Sequence, residues 1–208
     1  MHVLSAHPIF GLLFNSLAGR NLAQSSFQVT LHRLRSLVGH AEALQFREGR
    51  LTLNSKYCWI DAWAFEQVLE EAENRWKEAA FEAAVSLSED AIRLYRGPFL
   101  EKDAEESWAI SMSERLRSRF LRAVGKVGDH WRSAGEWEKA RDCFQRGLDV
   151  DDLAEGFCQG LMTCYQNLGQ KAEALSLYQR FEKRMKTVLG VEPTARTKGF
   201  RAAICKSG

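Results

Sequence analysis

The chain has 208 residues, 45% apolar and 27% charged, enough to build a packed core in one large domain or two small ones and too apolar for disorder. Its 29 basic and 27 acidic residues nearly cancel, leaving +2, so charge spread over the whole surface does not hold a nucleic acid; only a local concentration can. The five cysteines are scattered, odd in number and without a C-x-x-C pair, which fits reduced thiols in a cytosol, and His and Cys do not cluster at metal-ligand spacing. No metal and no cofactor are expected.

Residues 1–22 contain an apolar run, Ile9 to Phe14, shorter than the roughly 20 residues a bilayer needs. Neither Lys nor Arg precedes it and no A-x-A cleavage pattern follows, so a signal peptide fits poorly; a cytoplasmic protein with no membrane partner is expected.

A helix is predicted over Gln24 to Val38, with Phe27, Leu31, Leu34 and Val38 as its inner stripe and Gly39 as its stop. At 100° per residue the opposite face carries Ser25, Val29, His32, Arg33 and Ser36, with Gln28 and Arg35 on one flank. Next, Leu44-Gln45-Phe46-Arg47 and Arg50-Leu51-Thr52-Leu53 alternate around Glu48-Gly49, a hairpin signal. Asp61 then caps a helix running through Phe65, Val68 and Leu69. Helix, short hairpin and helix is the order in which a winged-helix domain ends. Between Arg20 and Lys56 stand six basic and two acidic residues, a local surplus suited to phosphate. Arginine can grip guanine, glutamine can pair with adenine, and valine can touch a thymine methyl. The same pattern also fits a solvated face on an ordinary domain, and Arg47 and Arg50 also fit a charged edge that discourages strand pairing.

Farther along, Trp131, Gly135, Ala140 and Phe144 recur 34 residues later as Tyr165, Gly169, Ala174 and Tyr178, the length of one tetratricopeptide unit. An aromatic ends the first helix, glycine takes the left-handed position, alanine lets two helices approach, and a second aromatic plugs the next layer. Gly128 fits the pattern too, with Met162 as its counterpart. Upstream, Ala91 and Tyr95 repeat the alanine–aromatic spacing at a distance of 49, with Gly97-Pro98-Phe99 onward as an insertion in which Phe99 and Leu100 are expected to tuck into the next layer. Asp152 and Glu155 have capping-box spacing, and Gly190 followed by Pro193 ends the helix near Leu189. Trp108, Trp131 and Trp137 read as repeat core.

Catalytic motifs are absent: no G-x-x-x-x-G-K-[ST], H-E-x-x-H or G-x-S-x-G occurs. Asp129 and His130 are adjacent on a predicted helix and point about 100° apart, so they make no dyad. Glu105-Glu106 reads as first-turn charge at a helix N-terminus. No enzyme is expected.

Phe27-Gln-Val-Thr-Leu-His-Arg-Leu-Arg-Ser-Leu-Val-Gly39 resembles the recognition helix of the response-regulator (OmpR-type) winged helix, with its R-L-R ending, and Asp61-Ala-Trp-Ala-Phe65 resembles the helix after the wing. Arg93-Leu-Tyr-Arg-Gly-Pro-Phe-Leu100, Glu105-Glu-Ser-Trp108 and Glu114-Arg-Leu-Arg117 resemble the bacterial transcriptional activator domain of antibiotic-regulatory-type activators. The resemblance runs from Ala23 to Ile204. It implies a mainly α chain: residues 1–22 unmatched, a partial winged helix (recognition helix plus β-hairpin wing) over 23–60, and tetratricopeptide-like helical repeats over 61–208. The full winged helix of this type has a sheet and two helices before the recognition helix, and residues 1–22 do not look like them. The implied function is DNA-binding transcriptional regulation, with Gln28, Val29, His32, Arg33 and Arg35 on duplex DNA and Arg47 and Arg50 on the wing. The repeats would contact RNA polymerase or a second protomer. The alternative expectation is a truncated protein-interaction fragment without DNA binding.

Overall fold

Among the described residues, glycines and short polar turns separate helices and one hairpin. The computed structural model describes residues 20–47, 50–100 and 107–206. The leading segment 1–19, the Glu48-Gly49 pair expected between the strands and the Glu105-Glu106 pair lie outside the described residues, as does the Trp108 side chain. The chain forms two units, Met1–Trp63 and Ala64–Gly208.

In the first unit, helix α1 spans Arg20–Val38 and stops where Gly39 turns left-handed at φ +76°, its N–H donating to the Arg35 carbonyl at 3.1 Å. A single 3-10 turn, Ala41–Ala43, leads into β1 (Leu44–Arg47), which pairs antiparallel with β2 (Arg50–Leu53) in the register Leu44↔Leu53 to Arg47↔Arg50. Leu31, Ala43 and Leu44 are buried, and the half-buried Phe27 ring lies 4.7 Å from that of Phe46. The expected inner stripe is therefore only half covered: Leu34 and Val38 are 39% and 46% exposed. Length explains this. Four-residue strands reach about 13 Å, while the helix runs about 28 Å, so the hairpin covers the turns around Leu31 and no more.

The second unit is helical. After α2 (Asp61–Lys77) come α3 (Phe81–Leu94), α4 (Ser107–Ser133), α5 (Trp137–Val150), α6 (Glu155–Asn167), α7 (Lys171–Leu189) and α8 (Ala195–Lys206). The Asp61 carboxylate accepts the N–H of its neighbour Ala62 at 2.8 Å, not the N–H two or three residues on that a cap takes; Asp61 is itself the first residue of α2, an acidic group in the first turn instead of the expected cap.

The 34-residue repeat is written into the backbone. At the α4–α5 turn Glu136 N–H donates to the Trp131 carbonyl (2.9 Å) and Gly135 N–H to that of Arg132 (3.2 Å). At the α6–α7 turn Gln170 and Gly169 make the same two bonds to Tyr165 (2.8 Å) and Gln166 (3.2 Å). Both glycines are left-handed, at φ +77° and +73°, and both bond pairs form the glycine-centred helix stop. The α2–α3 turn is built the same way: Ala80 N–H donates to Arg75 (3.0 Å) and Ala79 N–H to Trp76 (3.3 Å), with Ala79 at φ +58°. Ala79 stands where glycine stands twice later, so Ala84 and Ser88 correspond to Ala140 and Phe144. This corrects the expected upstream match. The units are offset by 56 residues, not 49, and Ala91 and Tyr95 lie two helical turns past the equivalent positions.

The capping box at Asp152 does not form. Helix α6 starts at Glu155 with Ala154 before it; Asp152 pairs with Arg184 of α7, and Glu155 accepts the Thr194 N–H at 2.7 Å. Asp151 takes the local turn instead, accepting the Leu153 N–H at 3.3 Å. Leu100 is exposed and Phe99 half-buried, so only the phenylalanine is partly enclosed.

Core alanines Ala84, Ala91, Ala140 and Ala174 are wholly enclosed, as are Val124, Val127 and Leu161. Two phenylalanines are seated on glycines of neighbouring helices. A Cβ on Gly128 would stand 2.6 Å from Phe144, and one on Gly160 2.7 Å from the other edge of that ring. Phe157 lies on Gly147 in the same manner, at 2.6 Å. Trp131 and Trp137 pack against this core half-buried, and the Trp131 indole N–H donates to Glu89 at 3.3 Å.

Candidate nucleic-acid interface

Helix α1 has two unlike faces. Toward the hairpin, Arg35 donates Nε (3.1 Å) and Nη2 (2.8 Å) to the Leu44 carbonyl. Arg35, placed by the sequence on the flank and expected on duplex DNA, is half-buried by this grip, and its guanidinium ties helix to hairpin. A charged group giving two donors to one neutral carbonyl makes a strong local tie. Aromatic contact between Phe27 and Phe46 fastens the helix one turn below Leu31.

Away from the hairpin, Gln28, Val29, His32 and Arg33 are exposed, Val29 by 49%. None of the polar three bonds or pairs with another described residue. Arg47 is exposed at the end of β1, directly opposite Arg50 in the ladder; the Arg50 side chain lies outside the described residues. The first unit thus gathers Gln28, Val29, His32 and Arg33 on one helix face and places Arg47 and Arg50 together at the hairpin end.

A brace at the base of the hairpin was not foreseen. His40 stacks on Tyr57 at 3.9 Å, and the Tyr57 hydroxyl donates to Glu42 at 2.7 Å. That bond to a carboxylate pushes the Tyr57 phenol above its usual range. Asn54 N–H donates to the Ala43 carbonyl at 2.9 Å, closing the base. These partners are 11 to 17 residues apart, and no local spacing marks them.

Among the described residues no three His, Cys, Asp or Glu side chains gather as a metal site, and no helix is long and apolar enough to cross a membrane.

The curated transcriptional regulator RedD of Streptomyces coelicolor is 30% identical over 112 residues, covering 54% of this chain and 32% of RedD. Among solved structures, EmbR of Mycobacterium tuberculosis, determined in complex with a low-affinity phosphopeptide, aligns with a TM-score of 0.66 at 18% identity, covering 93% of this chain and 52% of EmbR. The C-terminal tetratricopeptide-containing domain of a Plasmodium falciparum FK506-binding protein aligns at 0.48 and 11% identity over 73% of this chain and 94% of that one. This chain therefore spans about a third of RedD and half of EmbR. The EmbR alignment establishes a shared fold. The family model for the bacterial transcriptional activator domain matches residues 60–205, well over half of the sequence. The chain belongs to the bacterial transcriptional activator domain family, a family of transcriptional regulators and not of enzymes.

Proposed function

We propose that the chain is a DNA-binding transcriptional regulator in which residues 23–60 form part of a winged helix and residues 61–208 make the protein contacts. The observation that carries this reading is the two-faced α1. Its inner face is anchored by Phe27, Leu31 and Arg35, and its outer face offers Gln28, Val29, His32 and Arg33 with their polar groups unclaimed by described residues. That set can pair with adenine, touch a thymine methyl and grip guanine in a major groove. Arg47 is exposed at the hairpin end and shares a register position with Arg50, a basic pair in the sequence suited to phosphate. Arg35 acts as a positioning residue. The helical unit would contact RNA polymerase or a second copy of the chain, as a stack of helix pairs can.

The test begins with selection of bound duplexes from a random-sequence library, followed by salt titration on the selected duplex. Affinity should fall steeply with salt. Arg33→Ala should weaken the selected duplex by about 1–3 kcal/mol and relax choice at one base pair. Arg47→Ala should weaken all duplexes alike and flatten the salt slope. No duplex affinity at low salt would leave the second reading, a protein-interaction fragment. The uncovered Leu34 and Val38, an apolar surface on the same helix, favour that reading.

A further inference from the structure

The helical unit carries a cleft of about 240 Å³ between α2 and α4, with Ser88 of α3 at its base. Its walls are two helix faces at one-turn spacing: Leu69, Ala72, Glu73 and Trp76 from α2, and Arg119, Arg122, Ala123 and Lys126 from α4. The Trp76 indole N–H donates to Ser88 Oγ at 3.2 Å, and that hydroxyl donates to the Ala84 carbonyl at 2.7 Å, so the ring is fixed as a floor. Lys126 Nζ lies 4.9 Å from the centre of the Trp76 ring.

The charges around this floor do not balance. Lys77, Arg119, Arg122 and Lys126 line the cleft against one carboxylate, Glu73. Arg119 is already engaged, with Glu66 at 3.5 Å and Glu73 at 4.0 Å. Lys77, Arg122 and Lys126 pair with no carboxylate among the described residues. A lysine over an indole face is held by its charge while its N–H donors remain free for an anion.

We propose that this cleft is the docking site for an acidic peptide segment of a partner protein, with an aliphatic side chain placed on Trp76 beside Leu69 and Ala123 and flanking aspartate or glutamate carboxylates on Arg122, Lys126 and Lys77. Three unpaired cations call for carboxylates, and the tryptophan floor with small apolar walls calls for one side chain of leucine size. A cleft this small takes one or two side chains and is too narrow for a duplex, whose width is that of a groove-bearing rod. The inference rests on the reading that the helical unit takes a protein partner.

The test uses the full chain and a fluorescein-labelled peptide of aspartate and glutamate around a single leucine, with its asparagine–glutamine analogue as comparison. The acidic peptide should bind saturably, about tenfold or more tighter than the amide analogue, and increasing salt should weaken it. R122A/K126A should lower its affinity by a similar factor with unchanged circular dichroism, while R180A/K183A on the exposed side of α7 should not. Equal binding of the two peptides, no binding of either, or full binding by R122A/K126A would overturn the proposal. So would a duplex that competes for the cleft and loses affinity in the same variant, which would make the cleft a DNA surface. Capture of purified RNA polymerase, undiminished in R122A/K126A, would overturn the cleft and leave the protein-contact reading standing.

Discussion

Gly125 and Gly128 stand three residues apart inside α4, yet alanine should act in opposite directions at the two. In an unobstructed helix interior, replacing glycine with alanine stabilises by about 0.8–1.0 kcal/mol. Gly125 has that room: a Cβ there would meet Phe157 no closer than 3.6 Å. At Gly128 the new Cβ would stand 2.6 Å from Phe144 Cε1 and 3.0 Å from Cδ1 and Cζ. The ring cannot slide away, because its Cδ2 edge already lies 2.7 Å from the Cβ position of Gly160 on α6. Forcing a methyl into such a site costs about 1–3 kcal/mol, which outweighs the helix gain. Urea unfolding should therefore show Gly125→Ala raised by up to about 1 kcal/mol and Gly128→Ala lowered by up to about 2, with similar slopes. Adding Phe144→Leu to Gly128→Ala should cost less than the two changes summed, since the clash partner is gone. If both alanines stabilise equally, the glycines are not sockets for the ring and the reasoning fails.

Ala79→Gly should stabilise by about 0.5–1 kcal/mol. A left-handed alanine costs about 1–2, and glycine's extra unfolded-state freedom returns part of that. A lower denaturant midpoint in this variant would refute the strain. Burial pushes the Cys143 and Cys158 thiols up to about 12 and Cys164 up to about 11, against an ordinary 9.0. Raised folded-state values mean that the unfolded thiols ionise first, so this contribution is full below about pH 9 and is lost as pH climbs toward 11 and 12. In native protein iodoacetamide should reach exposed Cys205 rapidly and buried Cys158 only on unfolding, which mass spectrometry of the labelled peptides reads directly. Arg35→Ala should release α1 from Leu44, raising hydrogen exchange at both, whereas Arg33→Ala should leave exchange unchanged.

What was legible in the sequence was periodic or local. The second repeat pair showed itself because both turns need a left-handed residue and both use glycine. The first pair was placed seven residues out because alanine fills that position, and an alanine in a helix-rich sequence carries no turn signal. Glycines 128, 147 and 160 read as weak helix formers, since the rings they receive come from other helices. At the hairpin the alternation of Leu44 to Leu53 and the helix stop at Gly39 were visible, but the fate of Arg35 was not. Helical phase puts Arg35 on the flank between the two faces, and only the carbonyl of a residue nine positions on decides which way it turns. The Lys126–Trp76 cleft was hidden for the same reason: its two walls come from helices about fifty residues apart.

The tie from Arg35 to Leu44 also has a mechanical meaning. The carbonyl it holds belongs to the first residue of the ribbon, so the tie resists any roll of the rod about its own axis against the ribbon's base.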